Sequence, residues 1–229
     1  MTLWKTSANT GLLLMLVCSA CKTDPPPPLP PPQLVIIGED LSGTYVKHPE
    51  TTTEDMIRLC NALGRSEAGG KVYLIGIGNS TPKGYAFCEI KPLDKIDKSA
   101  VAHEKRNLKI KNAEIKKHNK LVIDEFIEKA ETILSQHSEL NTNINGFLEK
   151  VAAIVDDPVH KGYETWLFIN SDGKQDTKDS KKINCSLLPT TIKHFFVSKG
   201  WEGADCGHKN KTIDTQHFVT NFIKRDAAD

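Results

Sequence analysis

The sequence of 229 residues lacks the signatures of the commonest nucleotide and hydrolytic sites. Gly76-Ile77-Gly78 closes an apolar run, but no G-x-G-x-x-G follows and no G-x-x-x-x-G-K-S/T occurs, so neither a dinucleotide nor a P-loop phosphate site is indicated. None of the eight histidines belongs to an H-E-x-x-H pair and no serine stands in G-x-S-x-G, which removes the usual footing for zinc-protease and serine-hydrolase chemistry. An excess of one charge is missing too. Thirty Lys and Arg face 29 Asp and Glu, and a net charge of +1 is too small for a phosphate-binding surface, so no nucleic-acid partner is expected. No apolar run approaches the roughly 20 residues that cross a bilayer. The 38% hydrophobic and 26% charged residues suit a soluble chain able to bury a core.

The first 20 residues read as a targeting signal. Lys5 is the only charge before the apolar run Leu12 to Val17, and Ser19-Ala20 precede Cys21. Small residues before a cysteine resemble the bacterial lipobox, which implies cleavage before Cys21 and lipidation of that residue. Residues 21–33 are then a proline-rich tether. Pro25 to Pro28 and Pro30 to Pro32 exclude helix and central strand and favour a polyproline II spacer. Together these features place the chain in the cell envelope, anchored to a membrane by lipid and facing the periplasm or exterior, with the outer membrane favoured.

Four cysteines remain in the mature chain: Cys60, Cys88, Cys185 and Cys206. Outside the cytoplasm they can pair in three ways. Cys185 with Cys206 is the preferred disulfide, while Cys60 falls on the apolar face of a predicted helix, where a free thiol is easily buried. A zinc site from Cys185, Cys206 and His208 lacks a C-x-x-C pair and a fourth ligand.

Residues 34–229 alternate between apolar strands and helices, the pattern of a mainly parallel, doubly wound sheet in a three-layer α/β/α sandwich. Strands are expected at 34–37, 71–78, 85–90, 165–169 and 194–198, with 85–90 the hairpin partner of 71–78. Helices are expected at 51–64, 144–155 and 212–224, the last with Ile213, His217, Phe218 and Phe222 on one side. A long helical insertion, about 95–137, would reach more than about 50 Å and so must project, bend or break. Its basic part, residues 91–120, holds ten Lys or Arg against four acids. Such a run is usually a solvated helix face, and the functional alternative is contact with anionic lipid headgroups or an acidic protein.

Asp40-Leu41-Ser42-Gly43-Thr44 directly follows the first strand, where loops of an open α/β sheet gather around ligands. One carboxylate and two hydroxyls at alternate positions are hard oxygen donors of the kind Mg²⁺ prefers. The loop resembles the D-x-S-x-S/T metal-ion-dependent adhesion motif of the von Willebrand factor A (vWA) family. Thr142, just before a predicted helix, resembles the threonine of that family's second loop. Ser171-Asp172-Gly173 resembles its T-D-G, with serine for threonine. Glu39 departs from the pattern, standing where an apolar residue is usual.

The resemblance covers residues 34 to about 225 and implies a vWA fold with a divalent cation, Mg²⁺ first and Mn²⁺ or Ca²⁺ as alternatives. It implies that Ser42 and Thr44 bind the metal directly and Thr142 directly or through water. Asp40 and Asp172 would act through water or as acceptors behind the ligands. A protein partner would then supply an Asp or Glu carboxylate to the metal. The expected function is metal-dependent protein binding without catalysis, and no small-molecule substrate is expected. The alternatives are a structural component of an envelope or secretion assembly that no longer binds metal, and a metal-dependent hydrolase. The Asp40 loop is expected to be exposed, so that losing Asp40 would cost little stability.

Overall fold

A computed structural model describes residues 28–42, 51–78, 84–136, 141–177, 182–204, 206 and 211–226. The chain is an α/β protein built on one mixed, mostly parallel sheet. Its strands are β1 (Gln33–Asp40), β2 (Gly70–Ile77), β3 (Tyr85–Ile90), β4 (Glu164–Asn170), β5 (His194–Val197) and β6 (Lys211–Thr212), in the order β3-β2-β1-β4-β5-β6. Only β3 runs antiparallel, paired with β2 as the expected hairpin. The helices are α1 (Thr53–Arg65), α2 (Ala102–Leu134), α3 (Ile144–Val155) and α4 (Thr215–Asp226). Among the described residues no helix is long and apolar enough to cross a membrane.

Side-chain alternation divides the core between the two faces of the sheet. Val35, Ile37, Trp166 and Phe168 pack with Met56 and Leu59 of α1, Phe126 and Ile133 of α2, and Phe218 and Phe222 of α4. On the opposite face, Leu34, Ile36, Leu167 and Ile169 pack with Phe147, Leu148 and Val151 of α3. β1 and β4 are buried from both sides, which is why their sequences are continuous apolar runs rather than alternating ones. Two glycines permit the close approaches. A Cβ on Gly38 would lie 2.5 Å from Phe147 Cζ, and one on Gly76 would lie 2.6 Å from Leu41 Cδ1.

Local signals explain the helix ends. Thr52 accepts from the Asp55 amide at 3.1 Å while Asp55 accepts from the Thr52 amide at 3.2 Å, a capping box that starts α1. Asn143 caps α3 by accepting from the Gly146 amide at 3.0 Å. The long insertion is one helix of 33 residues, α2, whose buried residues Asn119, Phe126, Ala130 and Ile133 all lie in its second half. In α4 the expected apolar side differs in one residue. His217 is exposed because the Asp214 carboxylate, one turn earlier, accepts from its backbone amide at 2.8 Å and bonds its ring at 2.7 Å.

A disulfide joins Cys185 to Cys206. Cys60 on α1 and Cys88 on β3 are buried free thiols with sulfurs 3.4 Å apart. The bond to Cys88, reinforced by burial, pushes the Cys60 thiol well above its ordinary range, so neither reactive thiolate nor solvent access favours alkylation. Of these four cysteines, alkylation of native, unreduced protein should label none, and alkylation after denaturation should label Cys60 and Cys88 only. Peptide mapping that finds Cys185 or Cys206 labelled would contradict the pairing.

Candidate functional site

Strand order reverses between β1 and β4, and the carboxyl ends of these two strands flank the crevice in which doubly wound sheets bind ligands. Asp40 ends β1 and Ser171 follows β4. The register pairs Glu39 with Asn170, so the next positions, Asp40 and Ser171, stand side by side and face the α3 side of the sheet. Leu41 then seats itself over Gly76, and its amide donates to Ile77 O at 3.0 Å, which turns the chain so that Ser42 comes back over Asp40.

The Asp40 carboxylate is 2% exposed and collects donors from three loops. Its Oδ1 accepts from the Ser42 amide at 2.9 Å and the Thr142 hydroxyl at 3.3 Å. Its Oδ2 accepts from the Ser171 hydroxyl at 2.7 Å, with Thr142 Oγ1 at 3.4 Å, and the Ser42 hydroxyl bonds the carboxylate too. Burial nevertheless pushes the Asp40 carboxyl above its ordinary range, with the Asp172 charge adding to the effect and the Ser171 and Ser42 bonds opposing it. Thr142 is held in place by its own carbonyl, which accepts from the Asp176 amide at 3.0 Å, and by the next residue, whose amide donates to Gly78 O. The amino end of α3 therefore opens beside the carboxylate, where its dipole favours negative charge.

The third loop is fixed from below. Ser198, just past β5, donates to Ser171 O at 2.5 Å and accepts from the Ser171 amide at 3.1 Å. Gly173 adopts φ +76°, and a Cβ there would lie 2.5 Å from Gly203 N, so only glycine lets this loop fold down. Asp172 lies at the rim with its Oδ1 accepting from the Lys174 amide at 2.9 Å. Lys174 Nζ stands 3.5 Å from Asp172 Oδ2 and 3.4 Å from Glu202 Oε2, and these two carboxylates raise the lysine's pKa.

Of the residues read from sequence, Asp40, Ser42 and Thr142 meet directly, and Asp172 sits next to them at the rim. Thr44 and Cys21 lie outside the described residues. The expectation of an exposed loop is corrected, because Asp40 and Ser42 are both buried. Two groups seen in the sequence were given no role there. One is the Ser171 hydroxyl, which donates to Asp40 at 2.7 Å and could have been found by extending the β1/β4 register by one residue. The other is the pair Glu39 and Asn170, buried on the opposite face, where the Asn170 amide donates to both Glu39 oxygens at 2.9 and 3.0 Å.

The donor set suits a hard cation. Each Ser or Thr hydroxyl has one proton and two lone pairs, so a hydroxyl that gives its proton to Asp40 still presents lone pairs outward. Among the described residues no three His, Cys, Asp or Glu side chains converge to hold a metal, so any cation here would rest on hydroxyls with carboxylates behind them.

No family model matches the chain, and no curated protein matches it. Among solved structures, proximal thread matrix protein 1 from the mussel byssus is similar at 11% identity and TM-score 0.44, over 86% of this chain and 47% of that one. The pilus adhesin SpaC from Lactobacillus rhamnosus GG, in its open conformation, is similar at 17% identity and TM-score 0.33, over 64% of this chain and 15% of that one. A further SpaC crystal structure gives 17% identity and TM-score 0.32. The chain thus spans about half the length of the matrix protein and less than a sixth of the adhesin.

Ser171→Ala should destabilise the protein by about 1–3 kcal/mol at neutral pH, since it strips a buried carboxylate of a close hydroxyl donor. A carboxyl whose folded pKa is raised adds stability below its unfolded pKa and loses it as pH rises through the folded value. The cost of Ser171→Ala should therefore shrink once acid protonates Asp40. Urea unfolding at about pH 7 and about pH 4 measures it. An equal cost at both would contradict the role given to this bond.

Proposed function

We propose that the chain is a metal-dependent protein-binding module of vWA type, a three-layer α/β/α sandwich carried on a lipidated, proline-rich tether in the cell envelope. One observation carries the reading: hydroxyls from three loops converge on a single buried carboxylate at the point where strand order reverses. Ser42, Thr142 and Thr44 would hold Mg²⁺ or a similar cation, with Asp40 orienting the hydroxyls and Asp172 balancing charge from the rim. The cation would supply a strong pull on an anionic oxygen. Because hydroxyls neutralise it less than direct carboxylates would, that pull remains available to an Asp or Glu of a partner protein. Asp40 cannot serve readily as a general base, being enclosed by its own donors. The described histidines nearest the core, His160 and His194, are engaged with Ile154 O and Glu164. Both points favour binding over hydrolysis.

A second reading, a scaffold that no longer takes metal, is favoured by Lys174. Its ammonium already supplies positive charge to Asp172 and Glu202. It is largely exposed, however, and an exposed ion pair is worth little, so a divalent cation can displace it.

Calorimetric titration separates the two readings. Wild-type protein should bind Mg²⁺ or Mn²⁺ at millimolar or lower concentration, and Asp40→Asn, which keeps the side chain's shape, should abolish binding. Lys174→Met should tighten binding several-fold by removing the competing charge. No heat from wild type or from Lys174→Met would leave the scaffold reading in front.

A further inference from the structure

The basic stretch takes no part in the candidate site, and the fold gives it a distinct position. Ile133 of α2 lies against Gly76 near the carboxyl end of β2, whereas Asn119 bonds both the amide and the carbonyl of Lys91, just past the end of β3. The last residue of β3, Ile90, pairs with Gly70, which pairs with Gln33, the first residue of β1. The first half of α2, Ala102 to His118, therefore continues for about 25 Å past the edge of the sheet where the proline tether enters, at the end opposite Asp40. None of its residues is buried.

This projection is braced. Residues 91–97 run back along it, with Asn112 bonding the amide and carbonyl of Asp94 at 2.9 Å each and Lys111 paired with Asp94 at 2.7 Å. Arg106 and Lys109 beyond that brace, and Lys116 and Lys117 between its Asn112 and Asn119 ties, are exposed and find no carboxylate partner among the described residues. Charge along α2 is unevenly divided. Its first turn holds Glu104, which accepts from the Val101 amide and suits the helix dipole, but the rest of its amino half is mainly basic, whereas Asp124, Glu125, Glu128 and Glu131 lie in its carboxyl half.

We infer that the amino half of α2 is a docking surface for anionic phospholipid headgroups. Charge complementarity supports a phosphate-bearing partner, and two further observations select a membrane. Val101 and Ile110 are more than half exposed among the cations, and such residues enter the acyl boundary of a bilayer but add nothing on a nucleic-acid backbone. The projection also shares its end of the molecule with the tether. At polyproline II spacing the stretch from Cys21 to Gln33 would span about 40 Å, enough for a helix projecting about 25 Å to reach the surface that anchors the lipid. This last point rests on the anchor proposed above. Lipid and helix would then form two membrane contacts, turning the Asp40 site outward.

Vesicle co-sedimentation of the full chain carrying Cys21→Ala, which cannot be acylated there, tests the helix apart from the anchor. Vesicles containing phosphatidylglycerol should bind at least about tenfold more protein than neutral phosphatidylcholine vesicles, and about 0.5 M salt should erase the difference. Lys5 of the leader adds the same preference to this chain and to the fourfold variant below, so the difference between the two reads the helix alone. Replacing Arg106, Lys109, Lys116 and Lys117 with Glu should remove the preference while circular dichroism and thermal unfolding stay unchanged. A preference that survives the fourfold replacement would overturn the inference, as would equal binding of the unreplaced chain to phosphatidylglycerol and phosphatidylcholine vesicles. Fatty-acid labelling of the wild-type chain reads the anchor separately: no label at Cys21 would sink the anchor without altering the vesicle result.

Discussion

A carboxylate buried at the end of a parallel strand must find donors or lose its charge, and Asp40 meets that demand with hydroxyls and an amide from three separate loops. Much of the nearby structure follows from this requirement. Thr142 reaches Asp40 because its carbonyl and the following amide are tied to Asp176 and Gly78. Ser171 reaches it because Ser198 clamps the Ser171 backbone and Gly173 can take a positive φ. Leu41 turns the first loop back because Gly76 leaves room for it. Donation of these protons fixes where the remaining lone pairs point, which links the folding requirement to the proposed cation site.

Most of the architecture was legible because period and burial are both local signals. Apolar runs at 34–37 and 165–169 announced strands, and the helical spacing of apolar residues announced α1 and α3. The residues least legible were those whose role depends on register. Ser171 looked like a poor copy of a motif threonine, yet strand pairing makes it a close donor to Asp40. Glu39 looked misplaced before an adhesion-type loop, and its partner Asn170 lies 131 residues away, beyond the reach of any local pattern. His217 fell on the wrong side because a neighbouring carboxylate captured it.

The two ends of the molecule have different chemistry. At the carboxyl ends of β1 and β4, charge is buried, sparse and satisfied, which suits a selective site. At the opposite end, the amino half of α2 displays unpaired cations on a braced helix, which suits a broad, salt-sensitive contact. A rigid sheet between them keeps the two surfaces facing apart, so a partner could meet the site while the helix and tether meet a membrane.

If the hydroxyls around Asp40 are arranged for a cation, crystals grown with Mn²⁺ will hold one among them. Anomalous diffraction should show one strong peak within about 2.3 Å of the Ser42 and Thr142 hydroxyl oxygens, with Lys174 swung away from Asp172. A map with no peak among the three loops at saturating Mn²⁺, and with the Lys174 ammonium still seated between Asp172 and Glu202, would contradict it.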